Sequence, residues 1–190
     1  YLAQADLTSA GDLGALAEAA REAGPLDILV LNASGGLEKG QAEDYALRLN
    51  RDAQIDTLDR LLPGMRDGSA VVFVTSHWAH FYGRKPVYAG YEVVAASKRA
   101  GEDALRERIP ALAARGIRLL VVSGDAIDGT ITPRLLERSQ PGLLAVRRSQ
   151  VGALPTVAEF ATAIVDSISD PALASGDVVF VGATDETGAE

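Results

Sequence analysis

Four apolar runs constrain this chain more than any other feature: Leu26–Leu31, residues 71–74, residues 117–122 and Val178–Val181. Apart from Asp27 and Arg118 they carry no polar residue, so they suit strands covered on both faces rather than half-exposed ones. The segments between them are long enough for helices. Strands alternating with helices predict an α/β fold, a doubly wound parallel sheet of Rossmann type with right-handed crossovers. Tyr1-Leu2-Ala3-Gln4-Ala5 reads as a further short strand. No internal repeat or low-complexity linker breaks the pattern, so residues 1–190 are expected to form a single domain. A hydrophobic content of 47% against 23% charged residues supplies a core of that size.

Helix boundaries are marked by capping residues. Ser9 and Asp12 make a weak capping box; Leu13, Leu16, Ala17 and Ala20 form the buried stripe; Gly24 is the stop. A long helix is expected from about Glu43 to Leu62, ended by Pro63-Gly64, with Asn50 in its interior, where Asn is mildly unfavourable. Thr132-Pro133 opens a short lid helix that runs to about Arg138, and Thr156 with Glu159 caps a helix to about Ile168. Between Ser76 and the next helix lies an aromatic loop, residues 77–88, which holds the only Trp and both His and reads as a wall for a small molecule. His77 and His80 alone do not complete a metal set, so no metal is expected.

The chemistry concentrates in Tyr91-Glu92-Val93-Val94-Ala95-Ala96-Ser97-Lys98. Residues seven apart on a helix share nearly one azimuth, so Tyr91, Val94, Ser97 and Lys98 fall on one stripe. A strand ending in Ser76 and followed by this helix can bring hydroxyl, phenol and ammonium into one pocket. Such a set suits acid–base chemistry at a carbonyl: Ser76 orients the oxygen, Tyr91 exchanges the proton and Lys98 lowers the phenol pKa. An ordinary core helix with a surface Lys is the plainer reading of the same spacing.

The chain resembles the short-chain dehydrogenase/reductase family along nearly its whole length. Leu31-Asn32-Ala33-Ser34-Gly35 is similar to that family's Asn-Asn-Ala-Gly turn, Leu49-Asn50 to its Asn helix, Val74-Thr75-Ser76 to its Ser strand and Ala95-Ala96-Ser97-Lys98 to the end of its Tyr-x-x-x-Lys signature. Val121-Val122-Ser123-Gly124 with Thr130 resembles the segment beside the nicotinamide, though its usual Pro is absent. Two departures stand out. Val94 replaces the Tyr four residues before Lys98, and the nearest phenol, Tyr91, gives Tyr-x6-Lys, the spacing of the family's enoyl-thioester reductases. The family's first strand, Gly-rich turn and second strand have no counterpart, so the sheet is expected to lack two strands that a parent chain supplies, leaving Leu26–Leu31 as an apolar edge.

The resemblance implies an NAD(P)-dependent oxidoreductase that passes hydride between nicotinamide and a carbonyl or alcohol carbon of a small-molecule substrate. Ser76, Tyr91, Lys98 and Asn50 would be catalytic, Asn50 by holding a relay water. Asn32, Ala33, Ser34, Gly35, Lys98, Gly124 and Thr130 would bind NAD or NADP. Asp6 would meet the adenine edge, or belong simply to a turn leading into a helix. Reduction of an activated C=C bond and non-catalytic dinucleotide binding remain open beside this reading. A homodimer or homotetramer is expected.

Composition narrows the partners. A net charge of −8 argues against nucleic acid and anionic membranes, and no apolar run has the length of a membrane span. Zero cysteines exclude disulfides and thiolate chemistry and accord with a cytoplasmic protein.

Overall fold

The computed structural model describes residues 2–38 and 40–184. Four parallel strands form one sheet in the order β1 (Leu26–Leu31), β2 (Met65–Ser76), β3 (Arg118–Gly124) and β4 (Val178–Val181). Each side-chain period-2 alternation sorts residues to one of two cores. Val71 and Phe73 of β2, with Leu119 and Val121 of β3, face helices α3 (Ala53–Leu61), α5 (Glu92–Arg106) and α6 (Ile109–Ala113) through Leu58, Leu105 and Leu112. Val72, Leu120 and Val122, one residue out of phase, face α9 (Val157–Ser169) through Phe160, Ile164 and Ile168. Both central strands are therefore buried on both sides, as their uninterrupted apolar sequence requires.

The strand order is monotonic, yet the helices of the first two crossovers lie on one face and α9 on the other. The third crossover must then have the opposite hand to the first two, which departs from the uniform right-handed expectation. The chain reaches the second face by way of α7 (Ile131–Ser139) and α8 (Leu143–Val151), which precede α9. A bridge between Asp128 and Thr156 ties the two ends of that excursion together.

Several local expectations are corrected. Residues 2–6 are not a strand: they lack a neighbouring strand to bond with, and residue 1 lies outside the described residues. β1 is an edge that pairs only with β2, and its Ile28 and Val30 are about half exposed on the face opposite Leu29 and Leu31. The long helix is not uniform. It begins as α2 (Tyr45–Leu47), widens into a π-helical turn (Arg48–Asp52), continues as α3 and closes in a 3₁₀ turn at Pro63. The aromatic loop starts with a helical turn, α4 (His77–His80). Ser123 and Gly124 still belong to β3 rather than to the turn after it.

The cap signals behave as written in the sequence. Ser9 accepts the Asp12 N–H at the start of α1 (Ala10–Ala23), and Gly24 ends that helix at φ 111°. Thr156 and Glu159 form a complete capping box on α9. No helix among the described residues is long and apolar enough to cross a membrane.

Candidate active site

A cavity of about 390 Å³ opens at the carboxyl ends of β1, β2 and β3. That is where an open α/β sheet holds ligands, because the loops that leave the strands diverge there. Ser76, Tyr91, Val94 and Lys98 line it, as do Asn32, Ser34 and Gly35 after β1, Gly124 at the end of β3 and Thr130 beyond it. The sequence-predicted set is thus largely gathered in one place.

Ser76 ends β2 and caps α4, where its hydroxyl accepts the Ala79 N–H at 3.3 Å. The same oxygen lies 3.2 Å from the Tyr91 hydroxyl, and either group can donate. Tyr91 is the N-cap of α5 rather than its first helical residue, and it is 3% exposed. Burial raises its phenol pKa above the ordinary value, and the Ser76 hydrogen bond works against that rise. The expected lowering of this pKa by Lys98 does not appear: only burial and the Ser76 hydrogen bond act on the phenol. Lys98 is itself buried, and desolvation lowers its ammonium pKa to about 8. Among the described residues no carboxylate pairs with it and no hydrogen bond fixes it.

Asn50 does not reach the cavity. Its side chain holds the turn after β1: Nδ2 donates to the Gly35 carbonyl and to Ser97 Oγ at 2.9 Å each, and Oδ1 accepts the Gly35 N–H at 3.2 Å. The π-helical turn presents the Asn50 carbonyl so close to α5 that a Cβ on Gly101 would come within 2.1 Å of it. Only glycine permits that approach. Ser97 accordingly turns toward Asn50 and away from the stripe it was expected to share. Ala33 also stays out of the cavity, and its carbonyl accepts from Gln54 Nε2 at 2.9 Å. Gln54, 1% exposed and donating also to the Leu49 carbonyl, is a turn-holding residue that the sequence reading missed. A buried amide within an amphipathic helix is the signal that could have found it.

Asp6 lies in the turn that leads into α1. It accepts the Thr8 N–H and hydroxyl, and these bonds lower its pKa. The turn reading is the one this geometry supports, and Asp6 is not among the residues that line the cavity.

Much of the remaining cavity wall is apolar, with Glu38, Thr75, Asp125 and Thr132 as its polar members. Leu37, Trp78 and Ala126 stand beside Tyr91 and Val94, while Ile131, Pro133 and Leu135 come from α7. Gly36 adopts φ 111°, and a Cβ there would strike Ala46 at 2.7 Å, so the turn after β1 packs directly on α2. Asp125 reaches the cavity but is spoken for: Arg147 of α8 pairs with it at 2.7 Å, and both are buried. Of the aromatic segment, Trp78 alone lines the cavity. His77 instead meets Ser123 Oγ at 2.9 Å, and burial lowers its pKa to about 4. His80 meets Glu102 from α5 at 2.9 Å, a carboxylate that linear proximity did not suggest.

No protein-family model matches the sequence, and no curated protein matches it. Solved structures do. A short-chain dehydrogenase family protein from Francisella tularensis superposes with a TM-score of 0.76 at 20% identity, covering 96% of this chain and 80% of that one. The 3-alpha-hydroxysteroid dehydrogenase from Pseudomonas sp. B-0831, complexed with NADH, gives 0.76 at 24% identity over 96% of this chain and 82% of that one. RhlG from Pseudomonas aeruginosa, an NADP active-site complex, gives 0.76 at 22% identity over 96% of this chain and 75% of that one. At such identities the likeness is one of fold, and it extends over nearly all of this chain: the chain folds as these short-chain dehydrogenases and reductases do.

Proposed function

We propose that the protein is an NAD(P)-dependent oxidoreductase that interconverts a carbonyl and an alcohol on a small molecule. The observation that carries this reading is the Ser76–Tyr91 hydroxyl pair, 3.2 Å apart in the same cavity as a buried Lys98 ammonium that has no acidic partner among the described residues. A paired hydroxyl and phenol can hold one carbonyl oxygen and pass it a proton. A desolvated ammonium without an acidic partner is an unmet charge that suits a ribose or phosphate oxygen. The small residues Asn32, Ser34 and Gly35 on one wall and Thr130 on the other leave room for the nicotinamide end of NAD or NADP. That the solved dehydrogenase and RhlG structures hold NADH and NADP supports the same cofactor class.

The cofactor, when bound, supplies hydride. The chain's own groups handle the oxygen. Ser76 orients it, with its second lone pair fixed by Ala79 N–H, and Tyr91 exchanges the proton at that oxygen. The burial that raises the Tyr91 pKa keeps the phenol protonated and thus able to donate at neutral pH. Lys98 holds the ribose side. Asn50 acts at one remove, as a positioning residue for the turn that carries Gly35, rather than as a water holder. Trp78, Leu37 and the α7 residues exclude water from the reacting face.

A homo-oligomer and a cytoplasmic location belong to the same proposal. Val93 on the outer side of α5 and Val165 on α9 are each at least 60% exposed, apolar positions that an association surface would cover. The zero cysteine count accords with the location. The enzymatic claim is tested by following NADH and NADPH absorbance with a panel of ketones, aldehydes and activated alkenes. Coenzyme oxidation with the carbonyl compounds supports it; oxidation with alkenes alone, or coenzyme binding with no oxidation, would sink it.

A further inference from the structure

Tyr91 stands just outside the helix that carries Lys98. Its backbone is well fixed: its N–H donates to the Tyr88 carbonyl at 2.9 Å, and its own carbonyl accepts the Ala95 N–H at 2.8 Å. Its side chain is another matter. Within a helix the preceding helical turn restricts and aims a side chain, but Tyr91, as N-cap, follows only the non-helical turn closed by its bond to Tyr88. The direction of the phenol must come from tertiary neighbours.

Among the apolar residues packed around Tyr91, two groups make directional contacts with the phenol, and both belong to one segment. Ser76 is the last residue of β2, and Trp78 is in the single turn of α4 that Ser76 caps. Ser76 meets the phenol oxygen, and the Trp78 indole meets the ring edge-on at 5.7 Å with an interplanar angle of 75°. Trp78 is itself backed by Tyr88, edge-on at 4.8 Å and 66°. Rings in such tilted contacts resist rotation because each edge faces a ring of opposite local charge. Without the indole, the phenol would keep one hydrogen bond and its apolar packing but lose the ring contact that fixes its tilt.

We propose that Trp78 is the positioning residue for Tyr91: its indole edge, backed by Tyr88, holds the phenol against Ser76 with the hydroxyl toward the cavity. The idea rests on reading Tyr91 as the proton-exchanging group. It also accounts for how a Tyr seven residues before Lys98, rather than four, keeps a defined direction. An orienting group outside the helix replaces the one the helix would have provided.

The test uses Trp78→Leu, Trp78→Phe and Tyr88→Leu, with two readouts. Trp78→Leu should lower kcat by about tenfold to a hundredfold, as displacement of a reacting group does, with KM for the coenzyme unchanged. Trp78→Phe, which restores a ring edge, should recover most of that loss. Tyr88→Leu should give a smaller fall in the same direction, and it keeps the question answerable if Trp78→Leu fails to fold. The second readout needs no turnover. With fluorotyrosine incorporated and the Tyr91 signals assigned by their loss in Tyr91→Phe, fluorine NMR should show a held ring in the wild type and in Trp78→Phe. In Trp78→Leu and Tyr88→Leu the signals should average as the ring turns freely. A wild type that reduces no carbonyl compound would defeat the proposed function while the NMR still judged the role of Trp78. A Tyr91 ring that stays held in both leucine variants would overturn the inference. So would a Trp78→Phe variant that behaves like Trp78→Leu.

Discussion

Helix α5 carries two buried ionisable side chains one turn apart, Lys98 and Glu102, and their circumstances are opposite. Glu102 is saturated: His80 Nδ1 lies 2.9 Å from both its oxygens, Arg106 Nε donates at 2.9 Å, and Arg99 stands 3.8 Å away. Burial alone would raise its pKa, but His80 and Arg106 together outweigh burial and hold it below the ordinary 4.5. Lys98 faces a cavity, has no such partner among the described residues, and its pKa falls to about 8. By spacing alone the two would be read as a helix ion pair, yet no such pair forms. A buried charge that is fully paired is part of the framework. A buried charge that lines a cavity is not part of that framework.

The widest gap between the two regions should appear in activity. Proton transfer by a positioned group contributes roughly 10²–10⁴ in rate. Tyr91→Phe, in the Lys98 region, should therefore lower kcat by about that factor in steady-state assays while the urea midpoint stays near that of the wild type. Glu102→Ala should do the reverse. It strands His80 and Arg106 without their carboxylate and should reduce unfolding free energy by about 3 kcal/mol, measured by urea titration, with kcat per folded molecule little changed. If the two substitutions exchanged these effects, the division between framework and site would be wrong.

A subtler difference lies in pH. The folded pKa of Lys98, about 8, is below its ordinary 10.5, so between these values the unfolded chain binds more protons and stability rises with pH. Above about 10 the raised Tyr91 pKa acts in the opposite direction, because the unfolded phenol ionises first. The contribution of Lys98 should therefore appear as a gain of about 2 kcal/mol on going from pH 8 to pH 10. Lys98→Met should abolish it. Urea midpoints of the two proteins across that range check the slope; a wild type and a Met variant with parallel profiles would mean that Lys98 is better solvated than its burial indicates.

What the sequence revealed and what it hid follow a physical divide. The two central strands were legible because two-sided burial leaves an uninterrupted apolar run, and Ser9, Gly24 and Thr156 marked helix ends because caps act within a few residues. The approach of Ser76 to Lys98 was legible too, since strand end and helix face are set by local period; the aim of Tyr91, which lies outside that helix, was not. The rest depends on contacts between distant segments. The π-helical turn at Asn50 answers to Gly101 on another helix. The opposite hand of the third crossover depends on where α9 finds an apolar face. The partnership of His80 with Glu102 and the grip of Trp78 on Tyr91 join residues that no periodicity links. The supposed opening strand failed for the same reason: a strand is a pairing, and residues 2–6 have no neighbour to pair with among the described residues.

The central claim is that the Ser76–Tyr91–Lys98 wall serves hydride transfer to a carbonyl carbon, and isotope transfer tests it most directly. The protein would be incubated with coenzyme deuterated at its transferable position and with a ketone it consumes, and the product analysed by mass spectrometry and NMR. The account predicts an alcohol with one deuterium on the carbinol carbon, and loss of that product in Tyr91→Phe. Deuterium at a former alkene carbon instead, or coenzyme bound with no label passed on, would contradict it.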